Sequence, residues 1–147
     1  MNKKVPNQIL RFNRMYKEYN DVYQNAARNF DMPTVAFWLI YVLRQMGVCT
    51  QKDFMDQLYY PKQTINSSLK QLEKNEYVTL ERSEEDRRSK PIHLTEKGLA
   101  FAKETADKII CAEIAAFESF TDEERDTFMG LFEKLSFSLQ QEMQKVN

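Results

Sequence analysis

Glycine is scarce, with three residues in 147, and proline adds four. So few chain-turning residues argue for a mostly helical protein and leave no glycine-rich loop to cradle a phosphate. A single histidine, His93, and two cysteines, Cys49 and Cys111, supply neither a metal-ligand cluster nor a redox spacing. No metal and no cofactor is implied, both thiols are expected to stay reduced, and each is read first as a small hydrophobe. No nucleophile stands paired with a base, so an enzyme has no support. The start, Met1 to Pro6, lacks the apolar run of a signal peptide. The longest apolar stretch, Val35 to Leu43, is nine residues, against the ~20 that span a bilayer, so a cytoplasmic protein without a membrane partner is expected. A strong excess of one charge is missing too, since the net charge is −1.

What is present suits one folded domain over residues 1–147: 42% of residues are hydrophobic and 12% aromatic. The charge is unevenly spread, with a surplus of +4 up to Gly98 and −5 after it. A surface for a polyanion therefore has to lie in the first two thirds.

Hydrophobic spacing lays out the elements. Ile9, Phe12, Tyr16, Tyr19, Tyr23, Ala26 and Phe30 recur at three and four residues, as in a long amphipathic helix that stops at 31–34. A second helix, from about Thr34 to Gln45, is apolar nearly all round and is expected at the core, with Gly47 ending it. Thr50-Gln51-Lys52-Asp53 reads as a capping box opening a short helix through Leu58. A turn at Tyr59-Tyr60-Pro61 then leads into a helix from Lys62 to Lys74. On it Ile65, Leu69 and Leu72 share one face, while Gln63, Ser67, Lys70 and Lys74 point the other way, with Thr64 and Asn66 on the flanks. This is a helix-turn-helix pattern. Alternation at 78–82 and 92–94 predicts two strands joined by a charged loop, 83–91, longer than an ordinary hairpin turn. Thr95 can cap one long helix through Phe117, and Thr121 to Glu124 forms a second capping box before a last helix through Met143.

The chain resembles MarR-type winged-helix regulators. The resemblance rests most specifically on Asp86-x-Arg88-x5-Leu94-Thr95-x-x-Gly98, and also on the segment Gln63 to Lys74 and the helix order. It implies a mostly α (α+β) fold: a winged helix-turn-helix core at about 34–98 with a two-stranded wing, flanked by dimerisation helices at 1–30 and 99–147. It further implies a homodimer on double-stranded DNA, with a helix in each major groove and a wing in the minor groove, acting as a repressor. One departure stands out. The family usually has glycine where Glu76 stands, and Asn75 is expected to take the left-handed cap instead.

Roles follow from chemistry. Lys62 and Lys70 suit phosphate, and Gln63, Thr64, Asn66 and Ser67 suit base edges in the major groove. On the wing Arg88 is expected in the minor groove with Asp86 positioning its guanidinium, while Arg87 and Lys90 meet phosphate. Thr50 and Gln51, at a helix start, are further phosphate candidates. Each set has a plainer reading as a solvated polar face. Tyr16, Tyr19, Tyr23, Phe37, Trp38 and Tyr41 are candidates for a pocket taking a small phenolic or anionic effector, as in relatives, or equally for core and dimer interface. The apolar faces of the first helix and the last two exceed what a small core can cover, which favours a twofold mate. A winged-helix module that docks a protein instead of DNA is the competing class.

Overall fold

A computed structural model describes residues 4–81 and 90–146. Among them are seven helices and three short strands: α1 (Lys4–Arg28), α2 (Thr34–Met46), β1 (Val48–Cys49), α3 (Gln51–Gln57), α4 (Lys62–Lys74), β2 (Val78–Leu80), β3 (Ile92–Leu94), α5 (Glu96–Glu104), α6 (Ala106–Glu118) and α7 (Asp122–Met143). The chain forms two compact units, one through Ile109 and the other from Ile110 onward.

In the first unit α2 is the hub. Its Ala36, Phe37, Trp38, Leu39, Ile40, Val42 and Leu43 are all buried, which is why its sequence is apolar nearly all round. Around it pack α1, α4, α5 and β3. Each large side chain fully buried there stabilises the fold by about 1.5–3 kcal/mol. Gly47 ends α2 at φ 81, a conformation that suits glycine, and its N–H reaches back to the Leu43 carbonyl.

The sheet has the order β1-β3-β2, antiparallel throughout. A two-stranded wing was expected, and β1 is the addition: Val48 pairs with His93 and Cys49 with Ile92. Two residues are too few to carry an alternation, so only the presence of β3 makes them a strand. The backbone N–H of Glu81 donates to the Pro91 carbonyl at 2.9 Å and closes the base of the wing. The first strand of the wing, expected to reach Arg82, ends at Leu80 within the described residues.

One long helix was expected from Thr95 to Phe117, and it is broken at Thr105 (φ −128, ψ −73) into α5 and α6. The buried Thr105 hydroxyl donates to the Phe101 carbonyl at 2.7 Å, an i−4 bond that competes with the helical ladder. Just beyond the break, Asp107 accepts a forked pair from Arg44 of α2, at 2.6 Å from Nε and 2.9 Å from Nη2. The guanidinium holds the Asp107 carboxyl below its ordinary range.

In the second unit, Thr121 and Glu124 form the expected capping box at the start of α7. Arg125 donates to the Phe117 carbonyl at 3.0 Å, which also accepts from the Phe120 N–H at 3.2 Å, so the end of α6 is tied to α7. No residue of α7 is buried, although it carries Phe128, Leu131, Phe132, Leu135, Phe137 and Leu139. No helix among the described residues is long and apolar enough to cross a membrane.

Candidate nucleic-acid interface

The site is built from α3, the turn at 58–61 and α4. Thr50 caps α3 through a reciprocal box: its N–H and hydroxyl both donate to Asp53 Oδ2, at 2.7 and 2.8 Å, and Asp53 N–H donates to the Thr50 oxygen at 3.3 Å. Those two bonds hold the Asp53 carboxyl below its usual range. Phe54 is the buried anchor of α3. In the turn Tyr60 is half-buried and hydrogen-bonded to Gln24 of α1, while Tyr59 is fully exposed. Pro61 then presets the entry to α4.

On α4 the apolar residues Ile65, Leu69 and Leu72 are buried, so the helix cannot roll without exposing them. That orientation leaves Lys62, Gln63, Ser67 and Lys70 exposed, and Thr64 and Asn66 half-buried on the flank. The Ser67 hydroxyl donates to the Gln63 carbonyl at 2.9 Å, so its oxygen is left as an acceptor. The Thr50 hydroxyl is committed to the capping box. Gln51 Nε2 donates to Asn66 Oδ1, joining the two helices. This pair was not foreseen, because a bond between residues 51 and 66 depends on how two helices cross, which no local spacing reports.

The end of α4 explains the Thr95-x-x-Gly98 stretch. Asn75 keeps φ −88, and Glu76 itself adopts φ 61, contrary to the expectation for Asn75. Tyr77 N–H donates to the Leu72 carbonyl at 2.9 Å and Glu76 N–H to the Glu73 carbonyl at 3.0 Å, the paired bonds of a Schellman cap. That pattern needs the left-handed residue directly after Asn75, so position 76 takes it whatever its side chain. The freed chain then docks on α5. Thr95 N–H donates to the Tyr77 carbonyl at 3.1 Å, and its hydroxyl donates to the Glu76 carbonyl at 2.6 Å. Lys97 Nζ donates to the Asn75 carbonyl at 2.8 Å and sits 4.5 Å above the Tyr77 ring. A Cβ on Gly98 would meet the Tyr77 carbonyl oxygen at 2.0 Å, so only glycine fits this approach.

Of the wing residues, Lys90 is exposed beside β3. Asp86, Arg87 and Arg88 lie outside the described residues. His93 Nε2 is 2.9 Å from Glu81 Oε1 but off the line of a hydrogen bond, so the two attract only when the imidazole is protonated.

The aromatic set falls into two parts. Tyr23, Phe37, Trp38 and Tyr41 interlock, with Trp38 at 5.9, 5.0 and 5.2 Å from the other three rings in that order. Tyr19 meets Tyr23 edge-on at 5.0 Å, and their hydroxyls are 3.1 Å apart. Among the described residues Tyr16 stacks on Phe12 alone, at 6.1 Å, and both are exposed. Trp38 Nε1 is buried with no hydrogen-bond partner among the described residues. Cys49 is buried, and burial together with Asp53 pushes its thiol up to about 11, while Cys111 is exposed. No group of three or more His, Cys, Asp or Glu among the described residues could hold a metal ion.

Comparison with known proteins converges on one family. The family model for MarR matches residues 30–89, the stretch from the end of α1 to the wing. The HTH-type transcriptional regulator YwoH of Bacillus subtilis is 32% identical over 94 residues, covering 64% of this chain and 68% of that protein. The fold superposes on NMB1585, a MarR family regulator from Neisseria meningitidis, with a TM-score of 0.83 over 95% of this chain and 99% of that one, at 21% identity. A MarR family regulator from Listeria monocytogenes, solved with a 26mer DNA, gives 0.68 over 91% and 89%, at 15% identity. With its helix-turn-helix, three-stranded sheet and flanking helices in matching order, the chain belongs to the MarR family of transcriptional regulators.

Proposed function

We propose that two copies of the chain bind a pseudo-palindromic DNA operator in the cytoplasm and repress the adjacent gene until a small phenolic or anionic effector lowers their affinity. The observation that carries this reading is the face of α4. Three buried anchors fix the helix, and a row of two lysines, an amide and a hydroxyl is turned outward. Those groups match the donor and acceptor pattern of a major-groove floor flanked by phosphates. The Listeria regulator of like fold is a DNA complex, which supports the same docking here. Residues 34–98 form the DNA-binding core in this reading, and 1–30 and 99–147 supply the dimer contacts. Arg88 enters the minor groove, positioned by Asp86, with Arg87 and Lys90 on phosphate.

Pairing is supported by apolar surface that one chain leaves uncovered. Phe128, Leu131 and Leu139 on α7 are each more than half exposed, and Ile9 and Leu10 on α1 are as well. Exposed apolar surface on that scale marks an association surface. A twofold mate would set the two α4 helices about 34 Å apart and match half-sites ~10 bp apart. For the effector, the unpartnered Trp38 donor within the aromatic set offers a hydrogen bond to a phenolate or carboxylate oxygen. Such a ligand shifts the equilibrium only by its differential affinity for the bound and free arrangements.

The test is a gel shift against DNA upstream of the chain's own gene at two salt concentrations. Selective binding that weakens steeply with salt is expected, and Gln63→Ala should narrow the gap between operator and competitor. Equal binding to operator and bulk competitor at both salts would overturn the reading and favour a protein-docking scaffold.

A further inference from the structure

We infer that Gln51 is a positioning residue: it sets which end of the Asn66 carboxamide meets a base, and so which base is chosen at one position of each half-site. The inference rests on the DNA-reading role of α4 proposed above.

Gln51 is well placed to act this way because its backbone is held on two sides. Upstream, Cys49 and Val48 are paired to β3. At its own helix start, Thr50 and Asp53 close the capping box around it. From this fixed point its Nε2 donates to Asn66 Oδ1 across the α3–α4 crossing, where both side chains are half-buried. A carboxamide has one acceptor end and one donor end. With Oδ1 turned to Gln51, the end of Asn66 directed away from α3 is Nδ2, a donor. Free asparagine favours adenine by using both ends at once, accepting from N6 while donating to N7. A clamped Asn66 is biased away from that pair, because its Oδ1 is drawn toward Gln51. It is matched instead to a base edge rich in acceptors, and guanine, with O6 and N7, offers two.

Substitution at Gln51 should therefore change base choice without touching a base. Gln51→Glu replaces the donor with an acceptor-only carboxylate, so Asn66 must turn Nδ2 toward α3 and present Oδ1 to the groove. Preference should then pass to bases that donate, cytosine through N4 or adenine through N6. Gln51→Ala frees the amide and should flatten the preference. Asn66→Asp keeps an acceptor for Gln51 while presenting an acceptor to the base, and should resemble Gln51→Glu.

The experiment is selection from a randomised duplex library with the parent and these variants, each first checked for folding by its thermal melt. Asn66→Ala identifies the position in each half-site whose preference is lost. Gln51→Glu is expected to change the preferred base at that same position, by about tenfold in relative affinity. Should Gln51→Glu fold poorly, Gln51→Ala carries the test, because freeing the Asn66 amide must flatten the preference at that position. An unchanged base at that position in Gln51→Glu, an undiminished preference there in Gln51→Ala, or a change only elsewhere, overturns the inference while leaving the DNA reading intact. If the parent itself selects no sequence, the DNA reading fails and takes the inference with it.

Discussion

Replacing Gly98 with alanine sets two effects of opposite sign against each other. By helix propensity alone the change is favourable, since alanine is better than glycine inside a helix by about 1 kcal/mol. The close approach at the end of α4 says otherwise. The new methyl would sit 2.0 Å from the Tyr77 carbonyl oxygen, 3.0 Å from its carbon and 3.2 Å from Leu94 Cδ2. The first two neighbours are backbone, so α5 or the 76–77 segment must retreat by about 1 Å to reach an allowed separation. Three hydrogen bonds are tied to that junction: Thr95 N–H to Tyr77, the Thr95 hydroxyl to Glu76, and the cap from Gly98 N–H to Thr95 Oγ1 at 3.0 Å. Loss of two of them costs about 2 kcal/mol, and residual overlap about 1–3 more. After the propensity gain the net destabilisation is about 2–4 kcal/mol, or roughly 5–12 °C in Tm for a chain of this size. Urea unfolding of parent and Gly98→Ala at one matched protein concentration measures it, because any association would make unfolding depend on concentration. A variant within about 0.5 kcal/mol of the parent, or more stable, would refute the packing argument.

Three further outcomes follow from individual residues. Glu76 at φ 61 carries the left-handed strain of about 1–2 kcal/mol, and Glu76→Gly relieves it at a cost in chain entropy, so the unfolding free energy from urea titration should rise by about 0.5–1 kcal/mol, seen as a higher midpoint. An unchanged or lower midpoint would mean that the cap is unstrained. Asp107 is held below its ordinary range by Arg44, so its stabilisation is present above the unfolded value near pH 4 and is lost as pH falls through the lower folded value. Asp107→Asn should therefore cost about 1 kcal/mol at neutral pH, kept small because the pair is about a third exposed, and the difference from the parent should fade below about pH 4. A deficit that persists unchanged into acid would contradict the ion-pair account. Cys49, buried and pushed up to about 11, has only roughly a thousandth of its thiol ionised at pH 8. In a Cys111→Ser background it should resist a thiol reagent until denaturant is added, and prompt labelling of the folded protein would show the site to be open.

Much of the fold was legible where a local signal coincides with an element. Lys62 to Lys74 has a proline before it and a clear apolar stripe, and the helix occupies those residues. The threonine boxes at Thr50 and Thr121 mark two helix starts, and both form. The features that escaped are those decided by a partner far along the chain. β1 is a strand only because β3 lies beside it, and the turn at Thr105 reflects a buried hydroxyl and the Arg44–Asp107 fork. At Glu76 the geometry of the cap outranks residue preference, which is why the neighbouring asparagine does not take the left-handed place. The same division holds at the site. The outward face of α4 could be read from spacing, whereas the Gln51–Asn66 bond required the crossing of two helices.

The central claim is that two subunits fit one duplex together, and the most direct measurement is a fluorescence anisotropy titration of a genome-selected duplex. The predicted curve saturates at two chains per duplex, weakens by orders of magnitude when one half-site is scrambled, and falls steeply with salt. Saturation at one chain per duplex, or indifference to the scrambled half-site, would contradict it.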